Sequence, residues 1–206
     1  MATAVIFDVG NVLLRWDARL VFRDYLPDDA AIDAFLDEVG FHDWNLDLDR
    51  GLAWDVGVAD LAARFPHHEA PIRAFDSRWH ETIPGEVEGS RAILDDLLAA
   101  GVPLYAITNY SGVRWDQTLP RFPFLASSFR DVVVSGNEGV TKPDPEIYRR
   151  LLARNGLHAP DCVFIDDNLA NVAGAAALGI DAIAFTDADA LRRALVTRGL
   201  LPAGNA

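Results

Sequence analysis

Short apolar runs recur along the chain at Ala4 to Phe7, Val102 to Ile107, Val132 to Val134, Cys162 to Ile165 and Ala182 to Phe185. Each is bounded by turn residues and is short enough for a strand covered on both faces. Between most of them the spacing shifts to the helical period. Glu86 to Ala100 puts Val87, Ile93, Leu94, Leu97 and Leu98 on one face and stops at Gly101, where a glycine can end a helix. Asp144-Pro145-Glu146 supplies an N-cap, a first-turn proline and an early acid, predicting a helix to about Asn155-Gly156. Asn168 to Leu178 predicts another, ending at Gly179. Strands alternating with such helices predict an α/β fold with a doubly wound parallel sheet, whose ligands bind beyond the carboxyl ends of the strands.

The stretch from Arg15 to Thr82 departs from that alternation. It carries helical patterns with charged faces, punctuated by Pro27, Gly40, Gly57 and Pro66, and holds four of the five tryptophans and four of the five histidines. The expectation is a small helical cap over 15–82, inserted into a catalytic core made of 1–14 and 83–206. Most of its aromatic residues, Trp44, Trp54 and Trp79 among them, are read as core rather than substrate-facing.

Half of the 206 residues are apolar and 24% are charged, the balance of a folded globular protein. A net charge of -13 with no compensating basic stripe disfavours nucleic acid and anionic membrane surfaces as partners. No apolar run approaches the roughly 20 residues of a membrane span, so a cytoplasmic protein, monomer or homodimer, is expected. The single cysteine, Cys162, lies in an apolar run and reads as a buried inert thiol. Of the 18 basic residues, 17 are arginine and one is lysine, Lys142.

That lysine belongs to a pattern. Polar groups stand where apolar runs stop: Asp8 after Ile6-Phe7, Thr108-Asn109 after Ala106-Ile107, Lys142 in the loop after the third strand, and Asp166-Asp167 after Phe164-Ile165. A parallel sheet brings these ends to one edge. In order and spacing, "VIFDVGNVLL", "YAITNYS", "TKPDPEIY" and "VFIDDNLANV" resemble the motifs of the haloacid dehalogenase-like superfamily of hydrolases, over the whole core. The opening "DVGNV" looks most like bacterial sugar-phosphate phosphatases of the glucose-1-phosphatase type.

The resemblance implies a Mg²⁺-dependent phosphatase acting on a small phosphorylated metabolite, with Asp8 attacking phosphorus to form an aspartyl phosphate that water hydrolyses. Thr108 and Asn109 would donate hydrogen bonds to the phosphoryl oxygens, and Lys142 would bridge nucleophile and phosphate as a compact point charge. Mg²⁺ would take Asp8, the Gly10 carbonyl and Asp167, with Asp166 as a direct or water-mediated alternative. Asn168 and Asn171 would orient the acidic loop.

One position departs from the family pattern. Most phosphatases of this superfamily carry an acid-base aspartate two residues after the nucleophile, where this chain has Gly10. Losing a general acid-base typically costs about 10² to 10⁴ in rate. A sugar 1-phosphate, with its more acidic leaving oxygen, would need such help least; alternatively Asp17 or His42 would stand in. The rival readings are a metal-independent haloacid dehalogenase, a phosphomutase, and a regulatory phosphate-binding protein of low turnover.

Overall fold

The computed structural model describes residues 3–202. The strands are β1 (Ala4–Phe7), β2 (Leu14–Arg15), β3 (Gly85–Glu86), β4 (Leu104–Thr108), β5 (Asp131–Val134), β6 (Cys162–Asp166) and β7 (Asp181–Ala184). Helices α1 (Arg19–Phe22), α2 (Asp29–Val39), α3 (Phe41–Asp49), α4 (Trp54–Arg64) and α5 (Glu69–Ser77) fill the stretch after β2. Helices α6 (Ser90–Ala99), α7 (Gly112–Thr118), α8 (Phe124–Ser127), α9 (Ser135–Glu138), α10 (Pro145–Asn155), α11 (Leu169–Ala176) and α12 (Ala188–Thr197) follow.

Five strands form one parallel sheet in the order β5-β4-β1-β6-β7. The chain leaves β1 towards β4 and β5, then crosses back to β6 and β7 on the other side. The strand order therefore switches at β1, and the carboxyl end of β1 opens on the crevice where ligands of such sheets bind. The alternation within β1 explains the two-layered cover. Val5 and Phe7 join a cluster with Leu94 and Leu97 of α6, and Ala4 and Ile6 join another with Ile147 and Leu151 of α10. The first cluster continues without a break into Phe22, Ile32, Phe41 and Phe75 of the helices over the sheet edge.

All five expected strands are present within two residues of the sequence boundaries. The helix after Asp144 starts and ends as its sequence signals require: the Asp144 side chain accepts from the Glu146 N–H, Pro145 opens the helix and Gly156 closes it at φ 61°. Asn168 caps α11 by accepting from the Ala170 N–H. Two expectations need correction. The helix drawn from Glu86 begins instead at Ser90, because Gly85-Glu86 pairs antiparallel with Leu14-Arg15 and Gly89 turns the chain at φ 78°. Gly57 does not punctuate α4 but lies inside it, since a Cβ there would come within 2.8 Å of the Leu48 side chain, and its carbonyl accepts from Trp44 Nε1 at 3.0 Å. No described helix is long and apolar enough to cross a membrane. Cys162 is buried in β6 as expected, and burial pushes its thiol up to about 11.

A second close approach joins the helical stretch to the sheet. A Cβ on Gly51, whose φ is +109°, would lie 2.8 Å from the Gly136 carbonyl oxygen, and a Cβ on Gly136 would lie 2.6 Å from the Gly112 nitrogen and 2.9 Å from the Tyr110 oxygen. These are main-chain atoms, which cannot swing aside. Gly136→Ala is expected to cost about 1 to 3 kcal/mol by overpacking, read as a fall of about 2 to 4 °C per kcal/mol in thermal midpoint. Wild-type thermal stability in that variant would show the contact to be slack.

Candidate active site

Asp8 sits at the carboxyl end of β1 and is 7% exposed. Its Oδ1 accepts from the Val9 N–H at 2.6 Å and lies 2.8 Å from Lys142 Nζ. The loop beyond it is tightly turned, with Asn11 at φ 53°, a conformation asparagine tolerates, and its side chain accepting from the Trp16 N–H at 2.9 Å. Lys142 is 2% exposed, and its Nζ also reaches Asp166 Oδ2 at 2.6 Å. Asp166 ends β6 with no exposure; Asn171 Nδ2 donates to both of its oxygens at 3.0 and 3.1 Å, and the Asn168 N–H donates to Oδ1 at 2.8 Å.

The backbone of Lys142 is held as firmly as its ammonium. Asn109 Oδ1 accepts from the Lys142 N–H at 2.7 Å while Asn109 Nδ2 donates to the Lys142 carbonyl at 3.0 Å. Asn109 thus spends most of its side-chain hydrogen bonding on the lysine loop. Thr108 is 1% exposed at the end of β4 and lies outside the residues lining the adjoining cleft. That cleft, of about 230 Å³, is lined by the polar residues Asp8, Asn109, Lys142, Asp167, Asn168 and Asn171 with Gly10, and also by Trp16, Asp49, Trp54, Trp79, Tyr110 and Arg114.

The electrostatics follow from burial. Leaving water pushes the Asp8 carboxyl up to about 7; Lys142 opposes the shift and Asp166 adds to it. Burial works against the Lys142 charge, but the two carboxylates beside it outweigh that and raise its pKa. Asp167 is raised by burial and by Asp166. Carboxylate oxygens of Asp8, Asp166 and Asp167 all lie within 4.8 Å of one another. Three carboxylates against one ammonium leave two negative charges, so the donor set fits a hard divalent cation such as Mg²⁺. Asp166 is already engaged by Lys142 and Asn171, whereas Asp167 is exposed at the cleft and better placed to take a cation directly.

The structure therefore brings together Asp8, Gly10, Asn109, Lys142, Asp166 and Asp167, with Asn168 and Asn171 beside them. It does not bring Asp17 or His42 to the cleft. Both line a neighbouring recess, Asp17 accepting from the Arg19 N–H at 2.9 Å and His42 exposed on α3. Trp44 and Trp79 are core residues as expected and Trp54 packs against the same core, while Trp54 and Trp79 also line the cleft. Three cleft residues escaped the sequence: Asp49, Tyr110 and Arg114. Arg114 stacks on Trp54, its guanidinium carbon 4.1 Å from the ring centroid, and pairs with Asp76. One arginine among 17 and one acid among 31 acidic residues carry no signal of their own, although Tyr110 lies within the "YAITNYS" motif already singled out.

Residues 2–179 match the profile of the haloacid dehalogenase-like hydrolases. The chain is 27% identical over 196 residues to the sesquiterpene phosphatase astK of Aspergillus oryzae (strain ATCC 42149 / RIB 40), covering 89% of this chain and 90% of that one. It is 30% identical over 118 residues to flavin mononucleotide hydrolase 1 of Arabidopsis thaliana, covering 55% of this chain and 46% of that protein. Among solved structures it resembles the wild-type HAD family enzyme bt-2542 of Bacteroides thetaiotaomicron in complex with magnesium and inorganic phosphate. That match has a TM-score of 0.67 at 18% identity and covers 91% of this chain and 96% of that one.

Because the Asp8 carboxyl is raised from 3.8 to about 7, the folded protein binds more protons than the unfolded chain between those values. Its stabilising contribution is complete below about pH 4 and is lost as the pH rises through about 7. The thermal midpoint of cation-free protein is expected to fall over that interval, less steeply in Asp8→Asn, and Mg²⁺ is expected to raise it more on the alkaline side. Identical profiles for wild type and Asp8→Asn would contradict the assignment.

Proposed function

The chain belongs to the haloacid dehalogenase-like hydrolases, and from that membership and the charge arrangement at Asp8 we propose a Mg²⁺-dependent phosphatase of small phosphorylated metabolites. The observation that carries the reading is the buried Asp8–Lys142–Asp166 row beside exposed Asp167. A carboxylate attacking a phosphate dianion meets like-charge repulsion, and positive charge at the meeting point offsets it. Mg²⁺ held by Asp8, the Gly10 carbonyl and Asp167 would neutralise phosphoryl oxygens and draw them towards the nucleophile.

The chain's own groups do the rest. Asp8 Oδ attacks phosphorus in line and becomes an aspartyl phosphate; water then attacks that phosphorus and returns the carboxylate. Lys142 steadies the charge on Asp8 and on the transferring group. Asn109 fixes the lysine loop and turns its remaining amide hydrogen to the phosphate side, while buried Thr108 supports the end of β4 from outside the cleft. Asp166 orients Lys142. The core of 1–14 and 83–206 supplies the nucleophile, the lysine and the cation-binding acids, and the helical cap of 15–82 contributes Trp16, Asp49, Trp54 and Trp79 to the lining where the leaving group packs.

A cleft of about 230 Å³ lies below the usual range for drug-sized ligands, which supports a small substrate. Its aromatic wall, formed by Trp16, Trp54, Trp79 and Tyr110, suits the apolar face of a sugar ring. A sugar 1-phosphate is the preferred class, because the opening "DVGNV" resembles that of the glucose-1-phosphatase type and the anomeric oxygen leaves readily whichever group supplies its proton. Phosphatase names among the relatives agree with the phosphoryl chemistry. The paired Asp166-Asp167 disfavours a metal-free dehalogenase, whose halide pocket needs no such acids.

A panel of phosphate esters with Mg²⁺, scored by phosphate release, tests this. Sugar 1-phosphates are expected to exceed sugar 6-phosphates in kcat/KM, chelation is expected to abolish turnover, and Asp8→Asn is expected to lower it by roughly a thousandfold or more. Metal-independent halide release from a chloroalkanoate, without phosphate release, would replace this reading by the dehalogenase one.

A further inference from the structure

We infer that Asp49, carried by the helical stretch over the sheet, is the catalytic acid-base whose usual position is taken by Gly10. The inference rests on the phosphatase reading and adds a residue to it.

The acids lining the cleft are Asp8, Asp49 and Asp167. Asp8 is the nucleophile, and Asp167 belongs to the cation group with Asp166. Asp49 remains. It lines the same cleft as Asp8, Gly10 and Lys142, and a Cβ on Gly10 would meet nothing within 4 Å, so the position that usually carries the acid is open space here. The cleft therefore holds one acid that neither the nucleophile nor the cation group accounts for.

Asp49 is also held in place. It ends α3, where Asn45 Nδ2 donates to its Oδ2 at 3.1 Å. Its carbonyl accepts from Ser135 Oγ at 2.5 Å, and that hydroxyl accepts in turn from the Tyr110 N–H at 2.8 Å. Two residues on, Gly51 rests against Gly136. Elements of both the cap and the sheet edge therefore fix the carboxyl beside the loop that carries Asn109. Burial raises it to about 7, against the opposing charge of Lys142, so both of its protonation states are populated near neutrality.

The proton accounting closes over one turnover. As the Asp8 oxygen bonds to phosphorus and the ester P–O bond breaks, its electron pair goes to the leaving oxygen, which takes the proton of Asp49 and departs as an alcohol. Asp49, now a carboxylate, accepts a proton from the water whose oxygen attacks the aspartyl phosphate. The bond between Asp8 and phosphorus breaks, its pair returns to Asp8, inorganic phosphate is released and Asp49 is again protonated.

Asp49→Asn keeps an oxygen for the Asn45 amide, and Asp49→Ser serves as a second variant of independent folding behaviour. Both are expected to lower kcat on an alkyl phosphate by about 10² to 10³. On p-nitrophenyl phosphate, whose leaving group needs no proton, the initial burst of nitrophenolate is expected to keep its wild-type rate while phosphoenzyme accumulates on Asp8. Gly10→Asp in the Asp49→Asn background is expected to restore at least tenfold of the lost alkyl phosphate turnover. Equal losses on the two esters, burst included, or no loss on either, would overturn the assignment of Asp49 and leave the phosphatase reading intact. Absence of wild-type phosphate release from every ester would instead remove the phosphatase reading, and this assignment with it.

Discussion

The Lys142 ammonium stands between Asp8 and Asp166 in a place from which water is almost excluded, and much of the surrounding structure serves that arrangement. A desolvated charge is tolerable only when paired and hydrogen-bonded, and a desolvated carboxylate pair needs more than one cation to satisfy it. The lysine loop is accordingly pinned by both ends of the Asn109 amide, and Asp166 is saturated by Asn171 and the start of α11. Moving any of these strands by one residue would turn a polar group into the apolar clusters and an apolar one into the site. Sheet register and site chemistry are thus one constraint.

The aromatic side of the cleft obeys different physics. Trp54 stacks with Phe75, Trp79 meets Tyr110 edge-on, and Arg114 lies over Trp54 while bound to Asp76. Contacts of this kind are individually weak and summed over a large area, so they set shape more than charge. The cleft therefore combines a charged set of groups around Lys142 with an aromatic set around Trp54.

Much of the sheet and of the polar edge could be read from the sequence, because buried parallel strands are continuous apolar runs and their ends announce themselves when Asp8 or Asp166-Asp167 interrupts them. The helix at Pro145 was equally legible, since Asp144 and Gly156 are local signals acting on local backbone. What stayed hidden depended on distance in the chain. The pairing of Leu14-Arg15 with Gly85-Glu86 joins two-residue strands some 70 positions apart, too short to show a period. Gly57 carries the mark of a breaker yet serves as a gap for Leu48, a role visible only when α3 packs on α4. Asp49 is one acid at the end of a helix rich in acids, and only the fold turns it towards Lys142. Asp17 and His42, the substitute acids that the sequence suggests, both lie in the neighbouring recess.

Gly51 and Gly136 meet main chain to main chain, with no side chain between them. A boundary built of rotamers can be widened or narrowed one substitution at a time, whereas one built of two backbones has no intermediate settings. Divergence of this cleft towards new substrates is therefore channelled to Trp16, Trp54, Trp79 and Arg114, where exchange of a side chain remodels volume gradually. Gly51 and Gly136 stand outside that lining, and the junction they make between the helical stretch and the sheet edge stays fixed while the lining changes.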